Sequence, residues 1–276
     1  MINKIESFKQ INISQDEFIL FKEYIYNHIG ISLSDQKITL LRTRLNKRLR
    51  ELNFKSFNEY YIYLEKTPTE HTALVSAIST NVTYFFREEN HWSFLTKHIN
   101  KIIQKNKKLR VWSSACSTGE EPYSMGMFLK EHYPSIDEYD IKILATDISH
   151  EAIKKAQVAQ YNTEQVCTLS KNHIDNYFNS LSNSTHFGLS DEVKKLVMFR
   201  TFNLVYGNYN LFKHINFNLI FCRNVLIYFD EETKQKVADN LTNQLQKGGY
   251  LFIGHSESLR SHKQLKYIAP SIYQKI

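Results

Sequence analysis

The chain has 276 residues, 42% apolar and 23% charged. At about 150 residues per domain it holds about two domains or one large one, and either size buries a core without a disulfide or structural metal. No apolar run approaches the ~20 residues that span a bilayer. The opening Met1-Ile2-Asn3-Lys4-Ile5-Glu6 lacks a signal peptide's layout. Cys116, Cys167 and Cys222 are odd in number and lack metal-type spacing, which argues against a disulfide scaffold or zinc site and for a cytoplasmic setting. The formal charge of +7 is uneven: residues 1–110 carry 18 Lys/Arg against 11 Asp/Glu, and the rest carry 17 of each. That asymmetry implies two units with different electrostatic roles.

Residues 14–64 read as helices. Ser14 and Glu17 form a capping box, Phe18, Phe21, Ile25 and Ile29 follow at helical spacing, and Gly30 stops the helix. Ser34 or Asp35 caps the next helix, whose stripe is Ile38, Leu41, Leu45, Leu49 and Leu52. Arg44, Lys47 and Arg50 fall off that stripe and Arg48 borders it. This Lys37 to Arg50 stretch is the most basic in the chain, either a solvated face or a surface that meets nucleic acid, anionic lipid or an acidic protein, between which charge alone does not choose. It lacks the interleaved aromatics of a single-strand nucleic-acid binder.

From residue 109 the texture changes. Strands are predicted at 109–112, 141–146, 217–222 and 250–253, and helices from Pro122, over 151–159 and over 231–246 up to Gly248-Gly249. A final hairpin over 265–275 turns at Pro270. Strands alternating with helices imply a mostly parallel sheet covered on both faces. Residues 161–205 interrupt that rhythm and are expected to form a small inserted β subdomain. Its last part, 191–202, carries a short strand or hairpin pattern.

In such a sheet, ligands sit at the carboxyl ends of the strands, and three ends are distinctive. Ser117-Thr118-Gly119-Glu120-Glu121-Pro122 is not a dinucleotide fingerprint, lacking G-x-G-x-x-G, nor a P-loop, lacking G-K-[ST], and its two carboxylates would repel a pyrophosphate. It suits a ligand with a positive group, such as S-adenosylmethionine, although carboxylates capping a helix N-terminus account for it as well. Asp147 ends the second strand, where ribose hydroxyls are gripped or a helix is capped. Cys222-Arg223-Asn224-Val225-Leu226-Ile227-Tyr228-Phe229 puts polar groups just past a buried strand, where they need partners. No nucleophile elbow or H-E-x-x-H pattern occurs.

Thr80-Asn81-Val82-Thr83-Tyr84-Phe85-Phe86-Arg87-Glu88 resembles the T-N-x-T-x-F-F-R-[DE] signature of CheR-type chemotaxis protein methyltransferases. Ser117 to Ser124 resembles that family's S-T-G-E-E-P-Y-S turn, Ala145-Thr146-Asp147-Ile148 its A-T/S-D-I, and 222–229 its C-R-N-V-x-I-Y-F. The four motifs keep the family order, and the resemblance covers nearly the whole chain. One departure, Cys116 where the family often has a small residue, should fit.

The resemblance implies a class I (Rossmann-like) methyltransferase domain at 109–276, with a C-terminal antiparallel hairpin and the inserted subdomain at about 161–205. A helical, receptor-docking domain at 1–78 and an interdomain segment at 79–108 would precede it. It implies methyl transfer from S-adenosyl-L-methionine to glutamate carboxylates on the cytoplasmic helices of methyl-accepting chemoreceptors, giving S-adenosyl-L-homocysteine. It assigns Asn81, Thr83, Arg87, Glu121 (rather than Glu120), Asp147, Asn203, Leu204, Arg223 and Asn224 to the cofactor. Arg87 and Tyr228 would orient the substrate carboxylate, and Lys37, Arg44, Lys47, Arg48 and Arg50 would dock the receptor. A cytoplasmic monomer without a metal, bound nucleic acid or membrane insertion is expected. Two alternatives remain: a cofactor-binding regulatory module without turnover, and methylation of another protein or of nucleic acid. The second is disfavoured because Cys222-Arg223-Asn224-Val225 stands where amino-group methyltransferases carry Asn/Asp-Pro-Pro-Tyr/Phe.

Overall fold

The computed structural model describes residues 10–79, 82–103, 107–181, 185–259 and 262–276. The chain divides into two units, Met1–Thr80 and Asn81–Ile276. No helix among the described residues is long and apolar enough to cross a membrane.

In the first unit, the predicted capping box opens α1 (Gln15–Ile29), and Gly30 closes it with φ at 88°. Then follow α2 (Ile38–Glu51), preceded by one 3-10 turn, α3 (Phe57–Lys66) and α4 (Pro68–Ile78). Phe18, Phe21, Ile25, Leu41, Leu45, Leu49, Phe57, Tyr60, Leu64 and Leu74 make the core. Phe21 stacks on Tyr60 with ring centroids 5.8 Å apart.

Arg48 reaches inward from α2. Its Nε and Nη2 donate to the two oxygens of Glu70 at 2.7 and 2.6 Å, and Tyr60 Oη donates to the same carboxylate at 2.9 Å. Arg44 Nη1 donates to the carbonyls of Ile78 and, at 3.0 Å, Ser79, near the end of α4. Lys37, Lys47 and Arg50 are exposed. Of the basic residues read as a docking face, Arg44 and Arg48 therefore turn to partners within the unit, while Lys47 stays exposed and meets Glu51 only at 4.0 Å.

The second unit begins with α5 (Glu89–Ile103) and continues through β1 (Lys108–Ser113), α6 (Glu120–His132), β2 (Asp140–Asp147) and α7 (His150–Val158). A small excursion follows: β3 (Gln160–Asn162), α8 (Thr163–Val166), α9 (Lys171–Tyr177), β4 (Phe178–Ser180) and β5 (His186–Leu189). After α10 (Asp191–Lys194) come β6 (Val197–Thr201), β7 (Phe217–Cys222), α11 (Glu231–Gln244), β8 (Leu245–Ile253), β9 (Leu265–Ala269) and β10 (Ile272–Lys275).

Among the described residues the main sheet has the order β6-β2-β1-β7-β8-β10-β9. The strands from β6 to β8 run parallel, and the predicted hairpin adds β10 and β9 antiparallel. β7 is buried along its whole length, as befits a central parallel strand covered on both faces. Its Leu219 and Phe221 join the α5/α6 side of the core, and Ile220 and Cys222 the α11 side.

Several boundaries differ from the sequence reading. The stretch 191–202 does not belong to the insertion: β6 is the parallel edge strand of the main sheet, beside β2. The separate sheet is β3-β5-β4 alone. Short, preceded by two lysines and half-exposed, β6 carries an edge strand's pattern, which on paper resembles a subdomain hairpin. Residues 89–103, expected to lie in an interdomain segment, form a helix that buries Trp92, Leu95 and Ile99 in the second unit's core. Helix α6 begins at Glu120, two residues before Pro122, and α11 gives way to β8 at Leu245, so Gly248, with φ at 79°, sits inside a strand irregularity.

Candidate functional site

From β1 the chain builds outward to β2 and β6, then returns to lay β7 on the other side of β1. This reversal leaves a crevice at the strand ends, where open sheets bind ligands. The turn after β1 is pinned on both sides. Ser114 donates from N and Oγ to the Phe221 carbonyl at 2.8 and 2.9 Å, and Cys116 N donates to Thr146 O at 2.8 Å. Gly119 takes a φ of 99°, and a Cβ there would stand 3.0 Å from both Ala156 and the Tyr123 ring. Only glycine combines that backbone with so close an approach.

The two adjacent glutamates diverge. Glu121 accepts from Ser113 Oγ at 2.6 Å and Arg223 Nη1 at 3.0 Å. Glu120 accepts from Thr118 Oγ1 at 2.7 Å and Gln165 Nε2 at 3.2 Å, which turns it toward the inserted subdomain. Burial raises both carboxyls above the usual glutamate range, against the pull of Arg223 at Glu121 and of Thr118 at Glu120. Asp147 lies at the next strand end and accepts from Ser117 N and Ser149 N, both at 2.8 Å. Burial raises it too, opposed by those backbone donors. The cap of α7 is Ser149, not Asp147.

Arg223, buried just past β7, ties the crevice together. Its Nε donates to Glu88 at 3.2 Å, its Nη1 to Glu121, and its Nη2 to the Arg87 carbonyl. Asn224, with φ at 57°, donates from Nδ2 to Glu88 at 3.4 Å. Burial opposes the ionisation of Glu88, but Arg223 and the His255 N–H outweigh it and hold the carboxyl below its usual range.

The segment bearing Glu88 is itself constrained. Phe86 and Glu88 have φ of 53° and 61°, a conformation costing roughly 1–3 kcal/mol per non-glycine residue. Its anchors are Phe85, packed on Tyr161 and Phe178, Phe86 against Trp92, and Trp92 Nε1 donating to Arg87 O at 3.1 Å.

Glu121 thus stands in the first turn of α6, Asp147 at the end of β2, and Arg87, Arg223 and Asn224 on loops. The Arg87 guanidinium donates to Val82 O at 2.8 Å and lies 5.5 Å from the Tyr84 ring centroid. Among the described residues no hydrogen bond or ring contact joins it to Tyr228, which is half-buried in a 3-10 turn over 226–228. Thr83 is half-buried. Asn203 Oδ1 accepts from Val205 N and Tyr206 N at 2.8 and 3.2 Å, and Leu204 is buried in the core beside Trp112. Asn81 lies outside the described residues.

Sequence reasoning gave Glu88 and Glu257 no role. Glu88 stood inside a quoted motif, and its acidic side chain beside Arg87 was the available signal. Glu88, His91 and His255 each place one ligand atom within 4.8 Å of the others, the only such group among the described residues. The Glu88 oxygens already accept from Arg223, Asn224 and His255 N, and the guanidinium alongside would repel a cation. His91, packed against Phe252, has its pKa pushed down to about 3 by burial and the Arg223 charge.

Buried carboxylates at the first two strand ends, one of them in a glycine turn, on a mostly parallel sheet fit a methyltransferase fold with S-adenosylmethionine as its cofactor. The residues fit that cofactor: Ser117 Oγ, buried in the turn, has no hydrogen-bond partner among the described residues, and Glu121 and Asp147 offer acceptors to amino and hydroxyl groups. The chain belongs to the CheR methyltransferase family. Residues 16–79 match the model for the family's all-alpha domain and residues 81–273 that for its SAM-binding domain. The chain is 40% identical over 274 residues to a chemotaxis protein methyltransferase of Borreliella burgdorferi, covering 96% of each chain. It is 34% identical to chemotaxis protein methyltransferase 2 of Vibrio cholerae (91% of this chain, 88% of that one) and 34% identical to the Escherichia coli chemotaxis protein methyltransferase (94% and 90%).

Proposed function

We propose that the protein transfers the methyl group of S-adenosyl-L-methionine to glutamate side chains on the cytoplasmic helices of methyl-accepting chemoreceptors. It would work in the cytoplasm as a monomer and release S-adenosyl-L-homocysteine. Relatives named chemotaxis protein methyltransferase support the pathway. The single observation that carries the reading is the Glu121–Arg223–Glu88 cluster at the crevice, on the family's own motifs.

The bound cofactor supplies a methyl group on a positively charged sulfur. Glu121 takes its amino group, Asp147 its ribose hydroxyls, and Asn203 and Leu204 flank the adenine. Asn81, Thr83, Arg87, Arg223 and Asn224 complete the pocket. A substrate glutamate, with a reference pKa of about 4.3, is ionised at neutral pH and needs no general base. The protein's task is to hold that carboxylate in line and dry, which Arg87 and Tyr228 do by charge-assisted hydrogen bonds.

The exposed Lys37, Lys47 and Arg50 of the first unit present positive charge to the acidic receptor bundle. Arg44 is a lesser contributor, being engaged by the α4 carbonyls, and Arg48 is engaged by Glu70. Replacing Lys37, Lys47 and Arg50 together by Ala is expected to slow methylation of a receptor cytoplasmic fragment roughly tenfold at low salt, and much less at high salt. Rates unchanged at low salt remove these residues from docking.

A further inference from the structure

Glu257 lies beyond the end of β8, in Gly254-His255-Ser256-Glu257, and no motif pointed to it. It is 7% exposed and forms no ion pair among the described residues. Its acceptors face backbone donors instead. Oε2 accepts from Gly254 N at 2.6 Å and Asn224 N at 3.1 Å, and Oε1 accepts from Ile227 N at 3.2 Å. The Leu226 N–H adds to the same field. Burial pushes the carboxyl upward while these donors pull it down.

A buried carboxylate without a counter-ion is an expensive way to close a loop, and this loop carries function. The oxygens divide between the two ends of residues 224–227. One holds the backbone of Asn224, which sits at a φ of 57°. The other holds Ile227, the residue before Tyr228. From the opposite side, Glu88 Oε1 accepts from Asn224 Nδ2 and from His255 N at 3.1 Å. Asn224 is thus gripped through its backbone by Glu257 and through its side chain by Glu88. Gly254 leaves room for the clasp: a Cβ there would lie 2.5 Å from Asn224 Nδ2 and 2.9 Å from Glu257 Oε2.

We propose that Glu257 is a positioning residue of the methyl-transfer site, fixing the 224–227 backbone and through it the Asn224 amide and the Tyr228 ring. This rests on the roles given above to Asn224 and Tyr228. A glutamine at 257 keeps one acceptor but turns an NH2 toward a backbone N–H, so one end of the loop is released while the volume is conserved. A displacement near 1 Å at such a site is worth up to about 100-fold.

The test is titration calorimetry with S-adenosylhomocysteine, melting temperatures and turnover on a receptor fragment. Glu257→Gln is expected to weaken S-adenosylhomocysteine binding roughly tenfold. In an Asn224→Ala background it should add less than about twofold, because both changes break one link. Leu241→Ala, a core truncation in α11, should lower the melting temperature and leave affinity unchanged. Gly254→Ala should reproduce the loss of affinity with the carboxylate retained, and it decides the matter if Glu257→Gln does not fold. Wild-type affinity in the folded Glu257→Gln or Gly254→Ala protein, or full additivity with Asn224→Ala, overturns the proposal. A wild-type protein that binds S-adenosylhomocysteine but methylates no receptor contradicts the glutamate reading alone, since the affinity cycle can still be read.

Discussion

Arg223→Met is expected to destabilise the second unit by about 3–5 kcal/mol, the range for removing one partner of a buried ion pair. At ~2–4 °C per kcal/mol for a unit of this size, the melting temperature falls by about 6–20 °C. The arginine side chain is 2% exposed, and its partners Glu88 and Glu121 are 8% and 13% exposed, so water does little of the screening. Without the guanidinium, two carboxylates are left buried close together with their charge uncompensated.

The effect has a pH signature. In the wild type, Arg223 helps hold the Glu88 pKa below its ordinary value, so that part of the stability is present above the unfolded pKa and lost as pH falls through the lower folded one. In the variant the pull of the guanidinium is gone: Glu121, already raised by burial, moves further up, and Glu88 keeps the His255 N–H but loses the charge beside it, so the deficit is full at neutral pH and relieved by protonation on acidification. The gap in melting temperature between wild type and variant therefore narrows from pH 7 toward pH 5. A gap that stays constant assigns the loss to packing rather than to the charge cluster.

The second large effect is expected in the first unit. Arg48→Ala leaves Glu70, 2% exposed, with Tyr60 Oη as its remaining side-chain partner among the described residues. The cost is again about 3–5 kcal/mol, enough to unfold much of a four-helix unit of this size. It should appear as lost helical circular dichroism and a lower denaturant midpoint. Adding Glu70→Gln restores part of the stability, because a neutral amide still accepts from Tyr60 without a bare charge. If Arg48 serves the partner surface instead, Arg48→Ala leaves the midpoint where it is and impairs only receptor methylation.

Arg48 also shows what the sequence could convey. Its place at the border of the α2 stripe follows from 100° per residue, but the direction it turns depends on Glu70, 22 residues away, which no local pattern reveals. The strands β1, β2, β7 and β8 were legible because each is a short apolar run ending in polar residues. The edge strand β6 was not, since its half-exposed pattern also fits a hairpin of the insertion. At the site, the acidic turn, Asp147 and Arg223 were legible as polar content at strand ends. Glu88 and Glu257 were hidden because their partners, Arg223, Asn224 and Ile227, lie 30 to 136 residues away.

The central claim, methyl esters on receptor glutamates, is tested most directly by incubating the protein with labelled S-adenosylmethionine and chemoreceptor membranes, then treating the product with mild alkali. The account predicts that the label leaves as volatile methanol, the behaviour of a carboxylate ester. Label that enters the membranes and survives alkali marks an N- or C-methyl product and contradicts the account.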